Sequence, residues 1–121
     1  MDPKVKFYEL ANSAEKRYAE SLDIGEVEPI FLEVLDLILR HPEEKSTFID
    51  CFENVISNGY TTPPELVSFC MHELRWPELK KSLNDWLLIE KSERIRHVLR
   101  QTLEAFNDDW NDADMYFKFG K

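Results

Sequence analysis

Phe69-Cys-Met-His-Glu-Leu-Arg-Trp-Pro-Glu-Leu79 is the stretch on which the fold turns. Its apolar residues run up to Trp76-Pro77, and proline disfavours helical geometry in the residue before it. One helix must stop there and another start, since proline is tolerated at a first helical position. Two short words of this region return further on. His72-Glu-Leu-Arg75 reappears as His97-Val-Leu-Arg100, and Leu83-Asn-Asp-Trp86 as Phe106-Asn-Asp-Asp-Trp110. The copies lie about one helix-plus-turn apart, which predicts stacked antiparallel helical hairpins. Arg75 and Arg100 would then be equivalent points, each tying neighbouring hairpins through a carboxylate.

Working outward, the rest of the chain reads the same way. Asp2-Pro3 is a helix start, with Phe7, Leu10, Ala11, Ala14 and Tyr18 on one face behind it. Gly25 is expected in the following break. A second helix carries Val27, Ile30, Phe31, Val34, Leu35 and Ile38, with Pro29 near its first turn and His41-Pro42 at its end. A third carries Phe48, Ile49, Phe52, Val55 and Ile56 and is expected to close at Asn58-Gly59. Thr62-Pro-Pro-Glu65 predicts a Thr-capped start for a fourth helix bearing Leu66, Phe69, Cys70 and Leu74. The fifth buries Leu79, Leu83, Trp86 and Leu87. The sixth starts near Ser92 and buries Ile95, Val98, Leu99, Thr102, Leu103 and Phe106. No segment alternates with period two for long enough to be a strand. The expectation is an all-α single domain over residues 1–121, about six helices, either HEAT-like or an irregular bundle.

Composition agrees with a folded domain. The chain has 121 residues, 43% hydrophobic and 12% aromatic, which is too apolar for disorder. The formal net charge is −9. The first 60 residues hold 6 basic and 13 acidic side chains, the remainder 9 and 11. Such a balance disfavours nucleic acid, where affinity comes from cations on phosphates. It fits a basic protein partner or plain solubility. Cys51 and Cys70 have no C-x-x-C spacing and lie in apolar runs, as small buried hydrophobes do. The start lacks a secretory apolar region, and Ile30 to Leu39 is too short and too charged to span a bilayer. A cytoplasmic location with reduced thiols is expected.

Catalytic signals are missing at the level of motif. There is no Gly-x-Ser-x-Gly elbow, no Gly-rich phosphate loop and no His-Glu-x-x-His. His41, His72 and His97 form no pair that would set two ligands on one helical face. Asn107-Asp-Asp-Trp-Asn-Asp-Ala-Asp114 offers oxygens at the first, third and fifth places of a calcium loop. Asp112 stands where that loop needs Gly, however, and Lys118 where it needs Glu. Neither a metal nor a cofactor is expected. The run has a bland reading, a solvated acidic turn at a helix end. In its functional reading Asp108, Asp109, Asp112 and Asp114 surround Trp110 as a surface that grips a basic protein. Trp76 and Trp86 are expected in the core. The basic group Lys91, Arg94, Arg96 and Arg100 is expected to pair with the acidic first half.

Met71-His-Glu-Leu-Arg-Trp-Pro-Glu-Leu79, with Leu103-Glu-Ala-Phe-Asn-Asp-Asp-Trp-Asn-Asp-Ala-Asp114, resembles segments of small uncharacterised bacterial proteins. Small acidic helical proteins of this kind often accompany toxins as immunity proteins. The resemblance covers the second half and transfers no active residues. It implies a bacterial, non-catalytic protein-binding domain that inhibits a basic toxin. A structural or adaptor helical module is the alternative, and a small enzyme comes third.

Overall fold

The computed structural model describes residues 2–57 and 62–120. Among them the regular structure is entirely helical. Seven α-helices run in order: α1 (Pro3–Ser21), α2 (Ile24–Arg40), α3 (Lys45–Ser57), α4 (Glu65–Leu74), α5 (Pro77–Ile89), α6 (Glu93–Glu104) and α7 (Phe117–Gly120). Two 3-10 turns, Pro42–Glu44 and Asn111–Met115, precede α3 and α7. The chain divides into two compact units, Met1–Pro63 and Pro64–Lys121.

In the first unit α1 packs on α2 and on α3. Asp2 caps α1, its Oδ1 accepting the Lys4 N–H at 3.0 Å. The break before α2 falls at Leu22-Asp23, earlier than expected. Leu22 takes the left-handed conformation, φ 56°, and closes α1 by donating its N–H to Tyr18 O at 2.7 Å. Gly25 instead lies inside the first turn of α2, where its N–H donates to the capping Asp23 Oδ1 at 2.9 Å. An Asx cap therefore does the work assigned to glycine. Because α2 starts at Ile24, Pro29 stands beyond its first turn and removes one backbone donor from the helix. The core is built from Phe7, Phe31, Phe48 and Phe52. Phe7 meets Phe52 edge-on at 5.4 Å between ring centroids. Tyr8 holds α1 to α3 by accepting a hydrogen bond from Asn54 Nδ2 at 3.0 Å. The cap expected at Asn58-Gly59 lies outside the described residues.

In the second unit α6 packs on both α4 and α5. α4 starts where expected, but Pro64 occupies the cap position and no side chain caps the helix, so Thr62 does not serve. Buried residues run without interruption from Leu66 to Met71, which a single stripe of apolar positions would not give. The α5–α6 turn is tied on both sides. Glu90 Oε1 accepts the Trp86 indole N–H at 2.8 Å, and its Oε2 accepts the Ser92 N–H at 3.0 Å. From the other side Arg96 Nη1 donates to Leu87 O at 2.6 Å and to Glu90 O at 3.2 Å. It thereby satisfies carbonyls that the end of a helix leaves open. Trp86 is half-buried, its polar edge at the turn, rather than a core residue.

The two echoed words do not mark a structural repeat. Arg75 is the left-handed cap that ends α4, φ 53°, whereas Arg100 lies mid-helix in α6 and bonds Glu93 of the same helix at 2.7 Å. Trp86 belongs to α5, and Trp110 follows the end of α6 in a turn. The basic group pairs locally: Arg96 and Arg100 both reach Glu93.

Candidate functional site

Beyond α6 the chain stops being a regular helix but remains tightly held. Asn107 N–H donates to Glu104 O at 3.0 Å, Ala113 N–H to Trp110 O at 3.2 Å, and Tyr116 N–H to Ala113 O at 3.1 Å. Short-range bonds of this kind turn the chain every three residues and throw acidic side chains outward. Asp108, Asp109, Asp112 and Asp114 are all exposed. All four carboxylates therefore face solvent along one stretch of chain, the ledge of residues 108–114.

Trp110 does not join them. It is only 7% exposed, so the expectation of an indole at the centre of the acidic surface is corrected. The ring lies against His72, 5.0 Å between centroids, and stacks on Tyr116 at 6.0 Å. Phe119 from α7 closes the cluster, edge-on to His72 at 4.7 Å and 5.1 Å from Phe69. The physical reason is area. An indole is among the largest apolar surfaces available to a turn that can reach α4, and burying it outweighs leaving it in water. The exposed aromatic beside the aspartates is Phe117, 82% exposed, with Met115 next to it.

His72 and Arg75, at the end of α4, hold the ledge in place. His72 Nδ1 is 2.8 Å from Ala105 O. A carbonyl only accepts, so Nδ1 carries the hydrogen. Arg75 Nε donates to His72 O at 2.8 Å and Nη1 donates to Asp108 Oδ1 at 2.8 Å. This bond holds the Asp108 carboxyl below the usual aspartate range. The Asp108 side chain is otherwise 99% exposed. One of the four carboxylates is thus partly neutralised from within, and Asp109, Asp112 and Asp114 project the charge. Gly120 completes the clamp. A Cβ there would stand 3.0 Å from both Cα and O of Asp114, closer than side chains normally approach backbone. Lys118 Nζ, 3.6 Å from Glu73 Oε1, adds an ion pair between α7 and α4.

The remaining candidates are scattered. His41 ends α2, with Nδ1 3.3 Å from Glu43 Oε2. His97 is exposed on α6. Among the described residues no three of His, Cys, Asp and Glu are placed to hold a metal ion. Cys51 and Cys70 are buried free thiols, both pushed up from the usual cysteine range by burial. Among the described residues no helix is long and apolar enough to cross a membrane. The acidic run is legible in the sequence, whereas the role of residues 116–120 is not. Tyr116, Phe117 and Phe119 fall too close together to show a helical stripe, and their importance depends on a turn that no local pattern encodes. No protein-family model, curated protein or solved structure matches this chain.

Proposed function

We propose that the chain is a non-catalytic protein-binding domain of immunity type, which inhibits a basic toxin by presenting the ledge at residues 108–114. The observation that carries this reading is the division of labour within the turn. Its carboxylates face water while its large aromatic is spent on anchoring the turn to α4. A charged surface on a held backbone steers an oppositely charged partner, because the charges need no reordering on encounter. Charge alone gives little residence time, and an apolar anchor at the centre of an interface supplies it. Phe117, with Met115, takes that role in place of Trp110.

The test is capture of a partner by the intact protein from its native cell, followed by binding kinetics. Replacing Asp108, Asp109, Asp112 and Asp114 together by Asn should slow association, and added salt should narrow the difference. Phe117→Ala should instead speed dissociation by about tenfold or more, the usual effect of losing an interface anchor. Association indifferent to both salt and the Asn substitutions would move the binding face elsewhere.

A further inference from the structure

The second unit leaves two apolar spots in water, one at the start of α6 and one on the segment that follows its end. At the start, α5 finishes on Leu88 and Ile89, which are 83% and 77% exposed. Beyond the end, Met115 and Phe117 beside the ledge are 46% and 82% exposed. The two spots differ in charge. Next to Leu88 and Ile89 stand the exposed cations Lys91 and Arg94. Both carboxylates of that turn are engaged within the hairpin. Glu90 accepts from the Trp86 indole and the Ser92 amide, and Glu93 is held by Arg100 at 2.7 Å and Arg96 at 3.7 Å. Residues 88–96 thus carry Lys91, Arg94 and Arg96 against Glu90 and Glu93, a positive balance. Next to Met115 and Phe117 stand Asp109, Asp112 and Asp114, all exposed, while Lys118 turns to Glu73 on α4.

We infer that the α5–α6 turn of one molecule docks on the ledge of a second copy. Leu88 and Ile89 then meet Phe117 and Met115, with Lys91 and Arg94 against Asp109, Asp112 and Asp114. Within one molecule the two surfaces do not satisfy each other. Leu88 and Phe117 each keep more than four-fifths of their surface in water. The 12 residues of α6 set its two ends about 18 Å apart. That exceeds the roughly 8–10 Å over which exposed charges act at ordinary salt. Between molecules the surfaces match, since each carries a pair of apolar side chains beside charge of the opposite sign. An anionic membrane would also attract the turn. There, however, only two aliphatic side chains would be buried, and the net charge of −9 opposes approach. Unlike patches make a head-to-tail contact, which leaves one turn and one ledge open on every pair, so a third copy can add. With two apolar side chains on each face, the contact belongs to the small, transient class. A basic partner would compete with it for the ledge.

The contact is tested on the full chain alone, so its outcome is independent of any toxin. Sedimentation equilibrium from about 10 μM to about 1 mM protein covers the weak range. In low salt the mean mass should rise from the 14.4 kDa of one chain and pass twice that value. High salt should reverse the rise. Leu88→Ser with Ile89→Ser removes the apolar pair of the turn, and Met115→Ser with Phe117→Ser removes that of the ledge. Each double variant should weaken association by about tenfold or more. All four positions are exposed, and circular dichroism checks that both variants keep their helices. Should the ledge pair prove necessary for folding, Asp109→Asn with Asp112→Asn and Asp114→Asn tests the same face through its charge, with an expected loss of about threefold or more. Mixing the two double variants decides the matter. One retains its ledge and the other its turn, so the mixture should form pairs and stop at twice the mass of one chain. Association that persists in either double variant alone would mean like patches meeting like, and would overturn the contact. A mass of one chain at every concentration would overturn it too, whether or not the turn binds phosphatidylserine vesicles. That result would leave the proposed function standing, because partner capture tests it separately.

Discussion

Individual residues carry the sharpest consequences. Trp110 lies in a cluster with His72, Tyr116 and Phe119, so Trp110→Ala should destabilise by about 3–5 kcal/mol. Trp86→Ala should cost less, about 1–3 kcal/mol, because that ring is half-buried and contributes chiefly a hydrogen bond to Glu90. Urea midpoints of the two variants check the order, and equal losses would contradict the placement of both rings. Leu22 gives the opposite sign. Its side chain is 74% exposed and its backbone is left-handed. Leu22→Gly should therefore stabilise by about 0.5–1 kcal/mol, since glycine adopts that region without strain. Both left-handed positions escaped the sequence reading for one reason. A helix end is usually announced by Gly or Asn, and here Leu22 and Arg75 stand in its place, held by hydrogen bonds that only the folded chain supplies.

Secondary-structure elements were the most legible scale. Helix starts at Pro3 and Pro77 and the stop at His41-Pro42 follow from proline's missing donor and fixed dihedral, which need no tertiary information. What did not show was how ends are finished. The α5–α6 turn depends on Arg96 reaching back nine residues to Leu87 O, a link no short-range pattern reveals. Arg96→Ala should lower stability by about 1–2 kcal/mol, as two helix-end carbonyls lose their donor. Arg96→Lys should recover only part of it, because an ammonium lacks the planar fork. Comparing the two by thermal denaturation separates lost charge from lost geometry. The acidic run was legible as charge and misleading as surface. Asp108 to Asp114 announced exposure correctly, whereas Trp110 required knowing that α4 lay within reach.

Across the whole molecule, acid should loosen what neutral pH holds. Asp108, Glu90 and Glu93 are each held below their usual ranges: Asp108 by Arg75, Glu90 first by the Ser92 amide and then by Trp86, Glu93 by Arg100. A carboxylate lowered in the folded state contributes stability that is complete above its unfolded value, about pH 4. That contribution is lost as pH falls through the lower folded value. Asp108→Asn should thus be less stable than the wild type near neutrality, with the gap closing in acid. Urea midpoints on both sides of that window decide it, and a gap that widens in acid would reverse the assignment. The effect should shrink with salt, because all three groups face solvent. A different consequence follows from Gly120, whose Cα lies so close to Asp114 that a Cβ would stand 3.0 Å from its backbone. Any polypeptide fused after Gly120 would start beside the backbone of Asp114. A purification handle or reporter joined directly after Gly120 would therefore crowd the Asp114 backbone, and a bait for partner capture should avoid that junction.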